Sequence, residues 1–423
     1  MVYQSPAGAR DLLPLDVAQK RWIEERLQQV FHRFGYHQII TSTLERLDTL
    51  MAGGAIQRST VIQLQDAEEE ELGLRPELTA SIARTAVTRM AGVTYPQRLY
   101  YNANVFRRTK SSSHNRQQEF YQAGVELLGA QDWLADAEVL LLLADCLNQL
   151  GLRKWRLILG EAGITRSLLS PFPAALQDKV RHAIAHLDRI TLETLPLSDE
   201  LRSRALLMLD LRGRPADVLQ QIGSLDLDTP QQEALNHLKS LIELLEQCFP
   251  VQSSQSPKHF PLILDLSLIQ TIDYYTGIVF EVVSETESQA RILGQGGRYD
   301  QLLGLYHPQG ESLPGIGFAL NIEDLHQVLV STNQLPKTTP ASNWLVVPES
   351  ALAYAAAFAY ADKLRNSPHL VRVEIDLGGR APDAIREYAR RRRIHQIAWI
   401  KAEGLPNIEP LNQTGSCSIS QEQ

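Results

Sequence analysis

Leu268-Ile269-Gln270-Thr271-Ile272-Asp273-Tyr274-Tyr275-Thr276-Gly277, followed downstream by Gly296-Gly297-Arg298-Tyr299-Asp300, is the pair of stretches on which the fold turns. Taken alone, each has an ordinary reading. Asp273-Tyr274-Tyr275 can be packing, and paired glycines can be a tight turn that needs positive φ. Two clusters upstream change their weight. The first is Leu74-Arg75-Pro76-Glu77-Leu78-Thr79-Ala80, which by itself reads as a turn. The second is Val105-Phe106-Arg107-Arg108, which reads as a strand end with solvated arginines. It leads through a Ser-rich loop to Glu119-Phe120-Tyr121-Gln122-Ala123-Gly124-Val125-Glu126.

Around these clusters the chain alternates helical and extended patterns. Ile23, Leu27, Val30, Phe31 and Phe34 share one face of a helix predicted from about Asp16 to Phe34, which Gly35 can close. Tyr36 to Leu44 mixes β-branched and polar residues as a strand does. A second helix is predicted from Asp132, as its cap, to Leu150, with Gly151 ending it, and Trp155–Leu159 reads as a strand. From about 176 to 250 the pattern is helical and Leu-rich, and Val251 to Pro257 is a polar linker. Strand signals resume at Leu262–Leu266 and Ile278–Val283, which makes the helical stretch an insertion within a domain spanning 1–330. A linker at 331–343 precedes a βαβαβ pattern over 344–408, with strands at Trp344–Val347, Val371–Ile375 and Gln396–Ile400 and helices at Ala351–Leu364 and Pro382–Arg393. Residues 409–423 are expected to form a disordered tail.

Bulk composition excludes several classes. With 423 residues, 44% hydrophobic and 21% charged, the chain is an ordinary globular sequence long enough for two or three domains. No run approaches the roughly 18–20 apolar residues of a membrane helix, and the N-terminal residues, lacking a basic stretch before an apolar core, lead to the expectation of no secretory signal. Cys146, Cys248 and Cys417 are widely spaced and odd in number, which argues against a disulfide framework or zinc site and fits a cytoplasmic location. A net charge of −8 and a pI near 5.8 disfavour nucleic acid as a partner.

In this order the four clusters resemble the histidyl-tRNA synthetase family, whose first histidine motif reads roughly Leu-Val-Arg-Gly-Leu-Asp-Tyr-Tyr. The resemblance runs from about residue 4 to 330. Val373-Glu374-Ile375-Asp376-Leu377-Gly378-Gly379-Arg380 makes the C-terminal unit similar to that family's anticodon-binding domain. It implies an α+β fold: a class II aminoacyl-tRNA synthetase-like antiparallel sheet flanked by helices, with a helical insertion and a small C-terminal α/β domain. It also implies a histidine pocket. Glu77 and Thr79 match the loop that meets the ammonium, and Arg107 matches an arginine suited to a carboxylate or phosphate. Gln122 and Glu126 match positions near the ammonium and imidazole, and Tyr274 and Tyr275 would wall the ring.

The departures fall on the catalytic positions. Gln270 stands where the histidine motif has arginine, Asp324 where motif 3 has its ATP-gripping arginine, and Thr109 where the Phe-Arg-x-Glu signature has glutamate. Ser42 replaces the proline of motif 1. Adenylate formation needs fixed cations aimed at phosphate, and losing one such donor costs about 10²–10³ in rate. An acid at 324 reverses the sign of an interaction worth up to about 4 kcal/mol at ~4 Å and an effective dielectric of ~20. A binding set without its catalytic cations is similar to the ATP phosphoribosyltransferase regulatory subunits, a paralogous family that partners a short catalytic subunit in the first step of histidine biosynthesis. That resemblance implies a non-catalytic chain with no cofactor or metal, the short-form catalytic subunit as partner, L-histidine as feedback effector, and a homodimer within a hetero-oligomer. Many members of that family lack the C-terminal domain that this chain keeps.

Two alternatives remain at this stage. An active histidyl-tRNA synthetase must tolerate Gln270 and Asp324, and no arginine lies within Gly317–Val330 to replace the lost one. An RNA-binding or scaffold protein on an inactive synthetase fold would rely on Arg390-Arg391-Arg392-Arg393, which read more simply as the solvated end of the last helix.

Overall fold

Pro14 fixes φ at the first turn of helix α1 (Pro14–Arg33), and Ile23, Leu27, Val30 and Phe31, recurring at helical spacing, are its buried face. Gly35, at φ +79°, ends it as expected. The computed structural model describes residues 5–411 apart from 7, 55, 66–69, 109–116, 250–259, 270–274 and 286–289. The chain divides into two units, Met1–Pro336 and Lys337–Gln423.

In the first unit α1 is followed by β1 (His37–Gln38), β2 (Leu44–Arg46), α2 (Leu47–Met51), β3 (Ile62–Gln65), β4 (Glu71–Leu74), α3 (Thr79–Thr88), β5 (Gln97–Phe106), β6 (Glu119–Leu128), α4 (Leu134–Gln149) and β7 (Trp155–Glu161). Next come α5 (Ala162–Leu169), α6 (Ala174–Ala185), α7 (Arg189–Thr194), α8 (Asp199–Asp210), the short β8 (Arg212–Gly213), α9 (Pro215–Gly223) and α10 (Thr229–Cys248). The chain then re-enters the sheet as β9 (Leu262–Asp265), β10 (Ile278–Ser284), β11 (Arg291–Arg298), α11 (Leu302–Tyr306), β12 (Gly315–Asn321) and α12 (Ile322–Val330).

The main sheet has nine strands in the order β1-β5-β6-β12-β11-β10-β7-β9-β8. Pairing is antiparallel from β5 through β7, as expected, whereas β1 runs parallel to β5 and β9 parallel to β7. The sheet alternates in two-residue steps. Ala123, Val125 and Leu127 of β6 join the core formed with α1, α4 and α12, while Leu99, Tyr101, Leu128 and Tyr299 pack on the other face with α3 and α11. Gln122, Gly124 and Glu126 therefore lie on the face away from α4. β2, β4 and β3 form a separate three-stranded sheet.

Two expectations shift. Of Tyr36–Leu44, only His37–Gln38 joins the main sheet, and Leu44 begins β2 in the three-stranded sheet. The carbonyls of Thr41 and Ser42 are taken instead by the buried Arg75 guanidinium at 2.8 and 3.1 Å, which removes the need for a neighbouring strand. The paired glycines at 296 and 297 form no turn but lie within β11. The boundary between the two units, after Pro336, falls within the stretch 331–343 read as a linker. The linker read at Val251–Pro257 lies outside the described residues.

The second unit has β13 (Trp344–Pro348), α13 (Tyr354–Arg365), β14 (Val373–Ile375), α14 (Pro382–Arg391), β15 (Gln396–Ile400) and β16 (Pro406–Pro410). Its strand order is β14-β13-β15-β16, with the first three parallel. β16 was not expected, and it reaches into the stretch read as a tail from 409. It is a proline-bounded edge strand, where a missing N–H is tolerated. Glu409 ties it down, accepting from Trp399 Nε1 at 2.9 Å and Arg386 Nε at 2.7 Å.

Leu142 is fully buried in the middle of α4. Leu142→Ala should destabilise the first unit by about 2–5 kcal/mol. A urea titration would read this as a lowered midpoint at unchanged slope.

Candidate ligand-binding site

The pocket-side face of the sheet is built around missing side chains. Gly317 of β12 lies directly opposite Glu126, in register. A Cβ there would strike the Glu126 carboxylate and the Val125 carbonyl. At Gly297 a Cβ would stand 2.7 Å from the Ile278 carbonyl and 2.8 Å from the Tyr275 ring. These glycines are required by close approach, not by turn geometry. Gly317 helps to line a cavity of ≈ 230 Å³, and Tyr275, packed over Gly297, lines it as well.

Every described residue assigned from sequence to histidine binding lines this cavity: Glu77, Thr79, Arg107, Gln122, Glu126 and Tyr275. Tyr274 lies outside the described residues. Glu126 is buried, accepts a hydrogen bond from Thr79 Oγ1 at 2.8 Å, and accepts a second from the Tyr299 hydroxyl. Burial pushes its carboxyl up to about 8. The two hydroxyls pull the other way, and the neighbouring Glu77 adds to the rise.

Glu77 has a second role. Its oxygens accept from the backbone N–H groups of Thr79 at 2.6 Å and Ala80 at 2.9 Å, so it closes the start of α3 while lining the cavity. Burial raises its carboxyl above the usual range, opposed by those N–H donors. Gln122 donates through Nε2 to Asn321 Oδ1 at 3.1 Å. Its Oε1 is buried and accepts no hydrogen bond from any described residue. Arg107 donates through Nε to the Pro76 carbonyl at 2.8 Å. Burial lowers the pKa of its guanidinium, against the attraction of Glu77.

Tyr101, Gln295, Phe318 and Tyr299 also line the cavity, although the sequence motifs assign none of them a role there. Strand alternation was the available signal for Tyr101. Among the lost catalytic positions, Gln270 and Thr109 lie outside the described residues. Asp324 sits in the first turn of α12, does not line the cavity, and pairs with Arg291 Nη1 at 3.4 Å. Burial raises its carboxyl and Arg291 lowers it. The arginines at 391–393 have partners within their own unit: Arg391 pairs with Glu387, Arg392 with Glu374 at 3.2 Å, and Arg393 donates to the Thr339 carbonyl at 2.9 Å. Among the described residues no helix is long and apolar enough to cross a membrane, and no group of metal-ligating side chains gathers.

Known proteins share this architecture. A family model described as histidyl-tRNA synthetase matches residues 8–325. The ATP phosphoribosyltransferase regulatory subunit of Nostoc punctiforme is 76% identical over 411 residues, covering 97% of this chain and 100% of that protein. A solved structure of an ATP phosphoribosyltransferase regulatory subunit/histidyl-tRNA synthetase from Bacillus halodurans is similar with a TM-score of 0.77 at 27% identity, covering 95% of this chain and 99% of that one. Histidyl-tRNA synthetase from Nostoc sp. PCC 7120 shares the fold with a TM-score of 0.75 at 18% identity, covering 97% of each chain.

The Glu126 carboxyl carries a pH signature. Its folded pKa is raised, so the folded protein keeps a proton that the unfolded chain releases above its ordinary value near 4.5. Stability from this group therefore falls as pH rises from about 4.5 to about 8, by at most about 1.4 kcal/mol per pH unit, and is flat above. Glu126→Gln should flatten that slope, so that the variant gains stability relative to the native chain at pH 8 and loses that gain towards pH 5. Denaturant midpoints across this range check it.

Proposed function

The chain belongs to the family of ATP phosphoribosyltransferase regulatory subunits, built on the histidyl-tRNA synthetase fold, and from that premise we propose that it is the non-catalytic partner of a short-form catalytic ATP phosphoribosyltransferase subunit in the first step of histidine biosynthesis, holding L-histidine as feedback effector in the ≈ 230 Å³ cavity. The catalytic subunit supplies the phosphoribosyl chemistry. The regulatory chain self-associates as a homodimer inside a cytoplasmic hetero-oligomer.

The observation that carries the ligand is Gln122, which lines the cavity and whose buried Oε1 takes no hydrogen bond from a described residue. Such an atom costs about 1–3 kcal/mol unless something donates to it. An amino-acid ammonium is a three-donor group of the right kind. The neighbours suit the rest of the molecule: Arg107 for the carboxylate, and Glu126 with Tyr275 for the two imidazole nitrogens. The cavity volume is below the roughly 300 Å³ at which sites for drug-sized ligands begin, which favours a free amino acid over a nucleotide. Gln270, Thr109 and Asp324 replace the groups that activation of histidine needs.

Regulation follows by linkage. If histidine binds more tightly to the assembly in which the catalytic partner is inhibited, occupancy shifts the population towards that state by roughly 1–3 kcal/mol.

Calorimetric titration with L-histidine, alone and with ATP, tests the reading. Saturable binding, weakened at least about tenfold in Gln122→Ala and in Glu77→Gln, with no pyrophosphate exchange, is expected. Pyrophosphate exchange in the native chain would restore the synthetase reading. Absence of binding would move any effector site away from this cavity.

A further inference from the structure

Behind the cavity, at the start of α4, is a buried polar cluster that histidine binding does not use. Arg298 sends Nε and Nη2 to Asp136 Oδ1 at 2.8 and 2.6 Å, and Nη1 to Asp300 Oδ1 at 3.2 Å. It also donates to the carbonyls of Ala130 and Asp132, both at 3.2 Å. Its stem lies against Gly277, where a Cβ would stand 3.0 Å from Arg298 Cδ.

Thr276 joins the cluster to the neighbouring strand. Its hydroxyl donates to Asp300 Oδ2 at 3.0 Å and accepts from the Asp300 N–H at 2.9 Å, while its own N–H donates to the Arg298 carbonyl at 2.7 Å. Two of the three described tyrosines that line the cavity are chain neighbours of these groups. Tyr275 precedes Thr276, and Tyr299 lies between Arg298 and Asp300. Both ends of the Tyr299 backbone are thus held by the cluster, and its hydroxyl reaches Glu126.

We infer that Thr276, Arg298, Asp300 and Asp136 form a positioning network that sets where Tyr275 and Tyr299 stand in the cavity and fastens both to α4. None of the four touches the ligand; they act through the two tyrosines. The inference uses the amino-acid pocket of the preceding section only for its ligand readout.

Arg298 and Asp136 are unsuited to a test. Removing one partner of a buried pair leaves an uncompensated charge and threatens folding. Thr276 is half-buried, and Thr276→Val keeps its shape while deleting the hydroxyl. Thr276→Ser keeps the hydroxyl. Two measurements are made on the full chain. The first is the titration of Glu126 without ligand, followed by the carboxyl ¹³C signal that Glu126→Gln removes. The second is the L-histidine Kd.

In Thr276→Val the Tyr299 hydroxyl should bond Glu126 less well, so the Glu126 midpoint should rise by about half a pH unit. The Kd should weaken about tenfold. Thr276→Ser should return both to native values. A folded Thr276→Val with the native Glu126 titration, or a Thr276→Ser that behaves like Thr276→Val, overturns the network. Failure of the native chain to bind L-histidine overturns the pocket reading instead, and the Glu126 titration still decides the network.

Discussion

Glu126 is held in mid-sheet between the hydroxyls of Thr79 and Tyr299, and the burial of that carboxyl obliges the surroundings to take their form. The strand opposite must carry glycine at 317, because any side chain would occupy the space of the carboxylate. Thr79 must be presented by the first turn of α3, which Glu77 closes by accepting from backbone N–H groups. Tyr299 must reach across from β11, whose end is fixed by the Arg298 ion pairs. A carboxyl that costs stability stands at the centre of a surface on which glycines and tyrosines are matched to it, the kind of arrangement in which functional sites are found.

Binding and chemistry separate on this scaffold because they draw on different charges. Recognition of an amino acid uses short-range polar contacts within a small, buried volume. Activation of its carboxylate needs cations placed where phosphate charge develops. The first set lines the cavity here. Asp324, by contrast, lies away from the cavity in the first turn of α12, where it forms an ion pair with Arg291 at 3.4 Å, each side chain about one-third exposed.

Much of this was legible in the sequence where local rules and family motifs agreed. The apolar spacing of α1 and α4, the βα alternation of the second unit, and the residues 77, 79, 107, 122, 126 and 275 were all placed from the sequence. The rest depended on contacts between distant segments. Nothing local to Tyr36–Leu44 announces that Arg75 will take its carbonyls. The glycines of β11 read as turn formers because a sequence does not display the backbone that will lie across from them. Tyr101 carries no motif, and only its parity on β5 turns it towards the cavity. β16, bounded by prolines and polar, has no apolar alternation to betray it and exists because β15 leaves an edge to cover.

The helical insertion leaves the sheet at the end of β7 and returns as β9, its immediate parallel neighbour. Within the insertion β8 pairs with β9 as the last strand of the sheet, and Arg166 of α5 donates to the Tyr275 carbonyl at 2.7 Å, so the insertion is tied both to the sheet edge and to a residue that lines the cavity. Closing a longer chain over a fixed gap is cheap, at about 0.6 kcal/mol per doubling of length for a flexible segment. Length added in the loops between the insertion's helices leaves the strands that carry the cavity in register so long as α5 and β8 keep their places. The outward-facing loops of the insertion are thus where chains of this fold can differ in size and outline while the cavity stays the same.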